Sequence, residues 1–341
     1  MVLVSAVMVG LPVVLAQDTA TGPVDPIPLV SAEPVTMRYE EGLTIKWNTP
    51  ILGFNYELPT GMQSRLKIMG DGKTGIIEIL NYEQGQTFDL VITDALGVSG
   101  QTMKPSADVY KQTIITPVPL AVEITPAPGT IRVPNLSDIL LTFGEDVVNP
   151  DCLTEAIKVD PAVPGSVTWL SAKQAKFTPT AKWGFETMVK VKLTGGPKGP
   201  ASAGGSYVDR DKTSTFETMP SKMIELNLSE QKLYCYEEGA LVFSCYIATG
   251  KAGYRTRTGD FRIYAKDRYV DMQSSPGDPE PYMVTDVPFV NWFSGGQAIH
   301  GCYWSSEYGY ARSHGCVNVA VGNAEWVYGW APVGTPVYVH Y

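Results

Sequence analysis

The chain has 341 residues, more than one small domain holds, and two or three domains are expected. Hydrophobic residues make up 44% and aromatics 10% of it, enough for packed cores and incompatible with global disorder. A formal net charge of −9 argues against a nucleic-acid partner, because phosphate contacts need clustered cations. With 33 glycines, 26 prolines and no long helical repeat, the expected class is all-β with many turns.

Met1 to Ala16 carry no charged residue and read as an apolar leader core, with Leu15-Ala16-Gln17 at a small-residue cleavage position. The expectation is an exported protein. An uncleaved N-terminal anchor, and so a membrane tether, is the other reading, although the stretch falls short of the ~20 residues of a spanning helix. The Pro-, Thr-, Ala- and Val-rich stretch that follows reads as an extended linker, so leader or anchor and linker together span 1–36. Residues 37–120 show short alternating runs such as Leu43-Thr44-Ile45-Lys46-Trp47, separated by turns such as Gly70-Asp71-Gly72, the pattern of a small β-sandwich. A second β unit is expected over 121–220, with strands at 138–143 and 188–193 and a hairpin pairing 166–169 with 175–179. Neither unit contains a histidine, and Cys152 is their only cysteine, so both read as spacer or binding modules.

The last unit, 221–341, opens with consecutive antiparallel strands over 224–228, 232–236 and 241–246. A tight turn at Glu237-Glu238-Gly239-Ala240 would set Cys235 opposite Val242, not Cys245. Ala324 to Trp330 is the one expected short helix, and 336–340 the closing strand.

All three histidines lie in this unit, two of them in His300-Gly301-Cys302 and His314-Gly315-Cys316. A thiol is a weak nucleophile until a neighbouring imidazole makes it a thiolate, so imidazoles concentrated beside thiols point to sulfur chemistry. Alternate residues of an extended segment share a face, so the imidazole and thiol of each tripeptide could project together. Three readings are open on the residues alone: a Cys/His acyl-transfer enzyme, a zinc site built from His300, Cys302, His314 and Cys316, or buried structural thiols in a glycine-rich turn. Zinc is weakened by spacing, because paired ligands in zinc motifs are usually separated by two or more residues.

Ile299-His300-Gly301 followed by Ser313-His314-Gly315-Cys316-Val317-Asn318, with Thr258-Gly259-Asp260-Phe261 upstream, resembles the motif set of YkuD-type L,D-transpeptidases of bacterial cell-wall synthesis. The resemblance covers 221–341. The two preceding units are similar, in architecture only, to the immunoglobulin-like modules that precede this domain in actinobacterial-type members. The resemblance implies an all-β chain: two Ig-like sandwiches (37–120 and 121–220), then a mostly-β catalytic domain with one short helix. It implies an exported enzyme at the cell wall that needs no metal or cofactor, acts on peptidoglycan stem peptides and is acylated by carbapenems.

By the same resemblance Cys316 is the nucleophile. His300 is its base, oriented by the carbonyl of Gly301, and backbone N–H groups around Gly315 and Cys316 form the oxyanion hole. The implied reaction releases D-Ala from a tetrapeptide stem, holds the rest as a thioester and passes it to an amine of a neighbouring stem, giving a 3→3 cross-link. An L,D-carboxypeptidase using the same acyl-enzyme is the alternative within enzymes; a zinc-stapled or non-catalytic wall-binding protein is the rival from another class. His314 stands with the catalytic residues as a group that holds the loop or the substrate. Ser313 and Asn318 are expected to orient backbone or bind the stem. Arg312, the only Lys or Arg after Arg268, either binds a stem carboxylate or pairs with Glu307. The connection over 269–299 is expected to cover the site as a lid, with Tyr282, Trp292 and, beyond it, Trp304 lining the groove. Cys302 stands where the family commonly has Ser or Thr. A Cys302–Cys316 disulfide that inactivates the nucleophile is a hypothesis of this reading.

Overall fold

A computed structural model describes residues 2–4, 24–39, 41–103 and 110–341. The leader expected over 1–16 lies outside the described residues apart from Val2–Val4, which form a strand. About half of the chain is strand, and among the described residues no helix is long and apolar enough to cross a membrane. The chain divides into two compact units, one of residues 1–128, 138–180 and 190–214, the other of 129–137, 181–189 and 215–341.

In the first unit a five-stranded sheet holds, in order, Val2–Val4, Ile51–Leu58, Thr87–Gly97, Tyr110–Ile115 and Val35–Thr36. A four-stranded sheet holds Pro28–Leu29, Leu43–Trp47, Thr74–Ile79 and Ser64–Ile68. Leu43, Ile45 and Trp47 alternate buried with exposed neighbours, and they share one core with Phe54, Tyr56, Leu90 and Ile92 of the facing sheet. Strict alternation of this kind is what a half-buried strand requires. The same unit contains the sheet Val122–Thr125, Ile139–Phe143, Gln174–Pro179 and Gly165–Ser171. The expected hairpin is present, with Val167 opposite Phe177 and Trp169 opposite Ala175. A one-turn helix, Leu153–Ala156, was not legible because four residues are too few for a periodic pattern.

Two sheets lie wholly within the second unit. The first runs Ala240–Tyr246, Lys232–Glu237, Lys222–Asn227, Pro336–His340, Gly259–Arg262. The second runs Ala265–Gln273, Met283–Ser294, Gln297–Gly301, Val317–Val319. Cys235 pairs with Phe243, not with Val242, because a bulge between Cys235 and Tyr236 shifts the register by one. The helix is Val321–Trp330, three residues longer at its start than expected. It packs on the strands Met283–Ser294 and Gln297–Gly301, and Ala324 and Val327 join Ile299, Val317, Val319 and Phe293 in the core between the sheets. Lys266 donates from Nζ to the carbonyls of Tyr328 and Ala331, the second at 2.7 Å, placing a cation at the negative end of the helix.

Candidate active site

The strands Gln297–Gly301 and Val317–Val319 are neighbours and run parallel, with Ile299 opposite Val317 and His300 opposite Asn318. Opposed residues of paired strands face the same side, and side chains alternate along each strand. Ala298, His300, Cys316 and Asn318 therefore share one face. That face forms a wall of a cleft of about 600 Å3, in which His300, Cys316 and Asn318 are joined by Tyr282, Trp304 and Ser313. His314 and Arg312 also line it.

His300 of the first tripeptide and Cys316 of the second line the same cleft, as does His314. Within His300-Gly301-Cys302 the strand ends at Gly301. Cys302 donates its N–H to the Val319 carbonyl at 2.8 Å and its thiol is buried, outside the set of cleft-lining residues. The expectation that both tripeptides project a pair together thus holds for His314 and Cys316 only. All five cysteines are free thiols. Among the described residues no group of three or more His, Cys, Asp or Glu is placed to hold a metal ion, so the four candidate zinc ligands do not converge.

His300 is 2% exposed, and its Nδ1 lies 3.0 Å from the Gly301 carbonyl oxygen. A carbonyl only accepts, so Nδ1 carries the proton and Nε2 is left with its lone pair. Burial pushes the His300 pKa down to about 4. Burial pushes the Cys316 thiol up to about 11, against a smaller lowering from the Ala298 backbone. At neutral pH the pair is therefore an uncharged imidazole and an uncharged thiol. The Cys316 thiol lies 3.7 Å from the Gly296 carbonyl oxygen, and a neutral imidazole with a free Nε2 lone pair is the form a general base needs. Trp304 stacks on His300 with centroids 5.7 Å apart.

The loop that bears Cys316 is held by the Ser313 hydroxyl and by the segment 248–256. Ser313 Oγ accepts from Gly315 N–H at 3.1 Å and donates to the Cys316 carbonyl at 2.5 Å, an ST-type closure. The Gly315 N–H is thereby occupied by the Ser313 hydroxyl. Thr249 O accepts from the N–H groups of Arg312 (2.7 Å) and Ser313 (2.9 Å), and Lys251 N–H donates to Ser313 O at 3.0 Å. Asn318 and Ala248 exchange backbone hydrogen bonds at 2.9 and 3.0 Å. Gly315 has φ +120°, and a Cβ there would meet Gln297 Nε2 at 2.8 Å, so only glycine fits.

His314 lies between the rings of Tyr254 (centroids 4.5 Å apart) and Tyr282 (4.8 Å). Its Nε2 is buried without a hydrogen bond, 3.8 Å from the Glu280 carboxylate. Tyr254 donates to Asp278, and Lys251 pairs with Glu280, so Asp278 and Glu280 are tied to the 251–254 segment. Arg312 is paired with Glu307 at the cleft. Trp292 stands apart from the cleft-lining residues: its Nε1 donates to Asp267 at 2.7 Å. Sequence reading missed Tyr254, Met272 and Val284, which lie far from the motifs along the chain and carry residue types that signal nothing alone. The expected alternative partner of Arg312, Glu307, is the one the structure shows. Another cleft of the same unit, about 420 Å3, pairs Arg132 with Asp260 and Arg262 with Glu186 and is lined by neither imidazole nor thiol.

The family model of the L,D-transpeptidase catalytic domain, YkuD, matches residues 221–339. These residues form a YkuD-type L,D-transpeptidase catalytic domain. L,D-transpeptidase 1 of Mycobacterium tuberculosis (strain ATCC 25618 / H37Rv) is 24% identical over 234 residues, which are 66% of this chain and 86% of that protein. The LD transpeptidase LdtMt1 solved in complex with imipenem is 22% identical, covers 66% of this chain and 100% of its own, and has a TM-score of 0.36. L,D-transpeptidase 3 from Mycobacterium tuberculosis, solved with a faropenem-derived adduct, is 22% identical over 65% of this chain and 98% of its own, with a TM-score of 0.35. The matched residues contain both His-Gly-Cys tripeptides and the whole cleft.

Proposed function

We propose that this chain is a peptidoglycan L,D-transpeptidase that forms 3→3 cross-links through a thioester on Cys316. The observation that carries the reading is the pairing of Ile299 with Val317, which sets His300 and Cys316 on one cleft wall. His300 Nε2 takes the Cys316 proton as sulfur attacks the carbonyl that precedes the terminal D-Ala of a donor stem. The carbon–nitrogen bond breaks, the proton passes from His300 to the departing D-Ala amine, and the thioester remains. An amine of a second stem then attacks the thioester and gives its proton to His300, which returns it to sulfur. The tetrahedral oxyanion of each half is met by the Cys316 N–H. Tyr282 and Trp304 line the donor groove, and His314, wedged between two tyrosines, holds the loop that bears the nucleophile.

In this reading residues 37–120 and 121–220 are Ig-like spacers that set the distance of residues 221–341 from the membrane, the chain is exported, and its N-terminal residues serve as leader or tether. Carbapenem acylation is expected because imipenem is bound in the complex of the LD transpeptidase LdtMt1. Intact mass after incubation with imipenem tests the reading in wild type, Cys316→Ala and Cys302→Ala. A single-drug adduct absent only from Cys316→Ala is expected, and no adduct on the folded, reduced wild type would sink the proposal. A paired assay on a tetrapeptide stem, with and without an acceptor stem, separates cross-linked dimer from hydrolysed tripeptide. Tripeptide alone would convert the reading to a carboxypeptidase.

A further inference from the structure

Thr256 lies outside the His-Gly-Cys motifs and does not line the cleft, yet its hydroxyl is used twice. The residue is 3% exposed; its Oγ1 accepts from Gly250 N–H at 2.9 Å and donates to the carbonyl of Gly315 at 2.8 Å. Gly315 and Cys316 share one peptide unit, and in a trans peptide C=O and N–H point in opposite directions. Fixing the Gly315 carbonyl therefore aims the Cys316 N–H the other way. Gly315, at φ +120°, has no Cβ to limit rotation of this peptide. Ser313 Oγ holds the groups on either side, Gly315 N–H and Cys316 C=O, and the bonds that fix the loop include none from the Cys316 N–H. Thr256 is itself rigid. Gln297 brackets it, accepting from Arg257 N–H and donating to the Arg255 carbonyl, both at 3.0 Å. Gln297 opens the strand that ends in His300-Gly301, so one clasp joins the base strand, the nucleophile loop and the Thr256 segment. A carbonyl that accepts a hydrogen bond also makes the N–H of its own peptide a stronger donor.

We propose that Thr256 is a positioning residue for acylation: its hydroxyl locks the Gly315–Cys316 peptide so that the Cys316 N–H receives the oxyanion. The inference rests on the acyl-transfer reading above and adds to it a residue that does not touch substrate. Gly250 is bound to the same purpose, since a Cβ there would fall 1.9 Å from the Tyr254 carbonyl oxygen and push the clasp apart.

The test compares two reactions of one thiol. Acylation of Cys316 by imipenem passes through an oxyanion; alkylation of Cys316 by iodoacetamide is a displacement at carbon that develops none. Rates of both are measured by mass at Cys316 for wild type, Thr256→Ser and Thr256→Val. Expected is a ~100-fold loss of acylation in Thr256→Val, the order seen when an oxyanion donor is lost, with alkylation within ~3-fold of wild type and with Thr256→Ser near wild type in both. If acylation and alkylation fall together, or acylation in Thr256→Val falls by less than ~3-fold, the proposal is overturned. Thr256→Ala repeats the comparison should Thr256→Val not fold. Failure of both to fold, with Thr256→Ser normal, assigns the hydroxyl to folding and also overturns it. A wild type that imipenem does not acylate removes the acyl-transfer reading itself; wild-type acylation undiminished in Thr256→Val removes only the role of Thr256.

Discussion

Arg312 is ion-paired with Glu307 at the cleft, so the single Lys or Arg of residues 269–341 is neutralised within the free protein. A stem carboxylate must displace Glu307 to reach it. Exposed pairs of this kind contribute ~0–1 kcal/mol, so Glu307→Gln is expected to leave the melting temperature unchanged and to lower KM for a donor stem by about 2–5-fold. Arg312→Ala is expected to raise KM with kcat little altered. Equal KM in all three proteins would show that Arg312 is a surface ion and nothing more.

The uncharged resting state of His300 and Cys316 fixes the pH dependence. The imidazole protonates only near pH 4 and the thiol ionises only near pH 11. Acylation by imipenem is therefore expected to vary little from pH 6 to pH 8, with its acid limb well below the ordinary histidine range. A bell with limbs near 6.5 and 8.5 would mean that both groups titrate as in water.

The same burial has a sign for stability. His300 binds its proton at about 4 in the fold, against 6.5 for the ordinary group, so the unfolded chain holds more protons between these values. Stability contributed by neutral His300 is complete above pH 6.5 and is lost as pH falls towards 4, by an order of ~3 kcal/mol. Urea midpoints at pH 7 and pH 4.5 should drop further in wild type than in His300→Gln. Equal drops would place the acid sensitivity elsewhere.

Gly315→Ala must adopt φ +120° and place its Cβ against Gln297 Nε2. A cost of about 1–3 kcal/mol is expected from the backbone alone. Acylation should be lost with it, because the residue belongs to the peptide that carries the Cys316 N–H. Thermal unfolding with imipenem labelling measures both, and a stable, fully acylated Gly315→Ala would refute the account of the loop.

Cys302 and Cys316 are not expected to form a disulfide under mild oxidant. Cys302 is 2% exposed and absent from the cleft that Cys316 lines. Cys302→Ser should be acylated at the wild-type rate. A disulfide-linked Cys302–Cys316 peptide in a non-reducing digest would contradict this.

Much of this architecture was legible because alternation is a local signal. Leu43 to Trp47 and the hairpin of Val167 and Phe177 needed only the period of two. The register at Cys235 was missed by one residue because a bulge leaves no mark in composition. The two tripeptides advertised sulfur chemistry, but which imidazole and thiol share a cleft wall depends on a parallel pairing of strands across the long 302–316 connection. Trp292 was expected in the groove, yet its indole finds Asp267 across the neighbouring strand. Thr256 had no signal at all, since a threonine becomes informative only when burial reveals what its hydroxyl holds.

The parallel pairing of Gln297–Gly301 with Val317–Val319 also decides when the protein becomes reactive. In an unfolded chain, His300 and Cys316 are separated by a long loop, and each tripeptide is an ordinary thiol beside an ordinary imidazole. Nothing is armed until the two strands lie side by side. On the acyl-transfer reading Cys316 is not primed for acylation before the strands pair, and labelling by imipenem doubles as a reporter of completed folding.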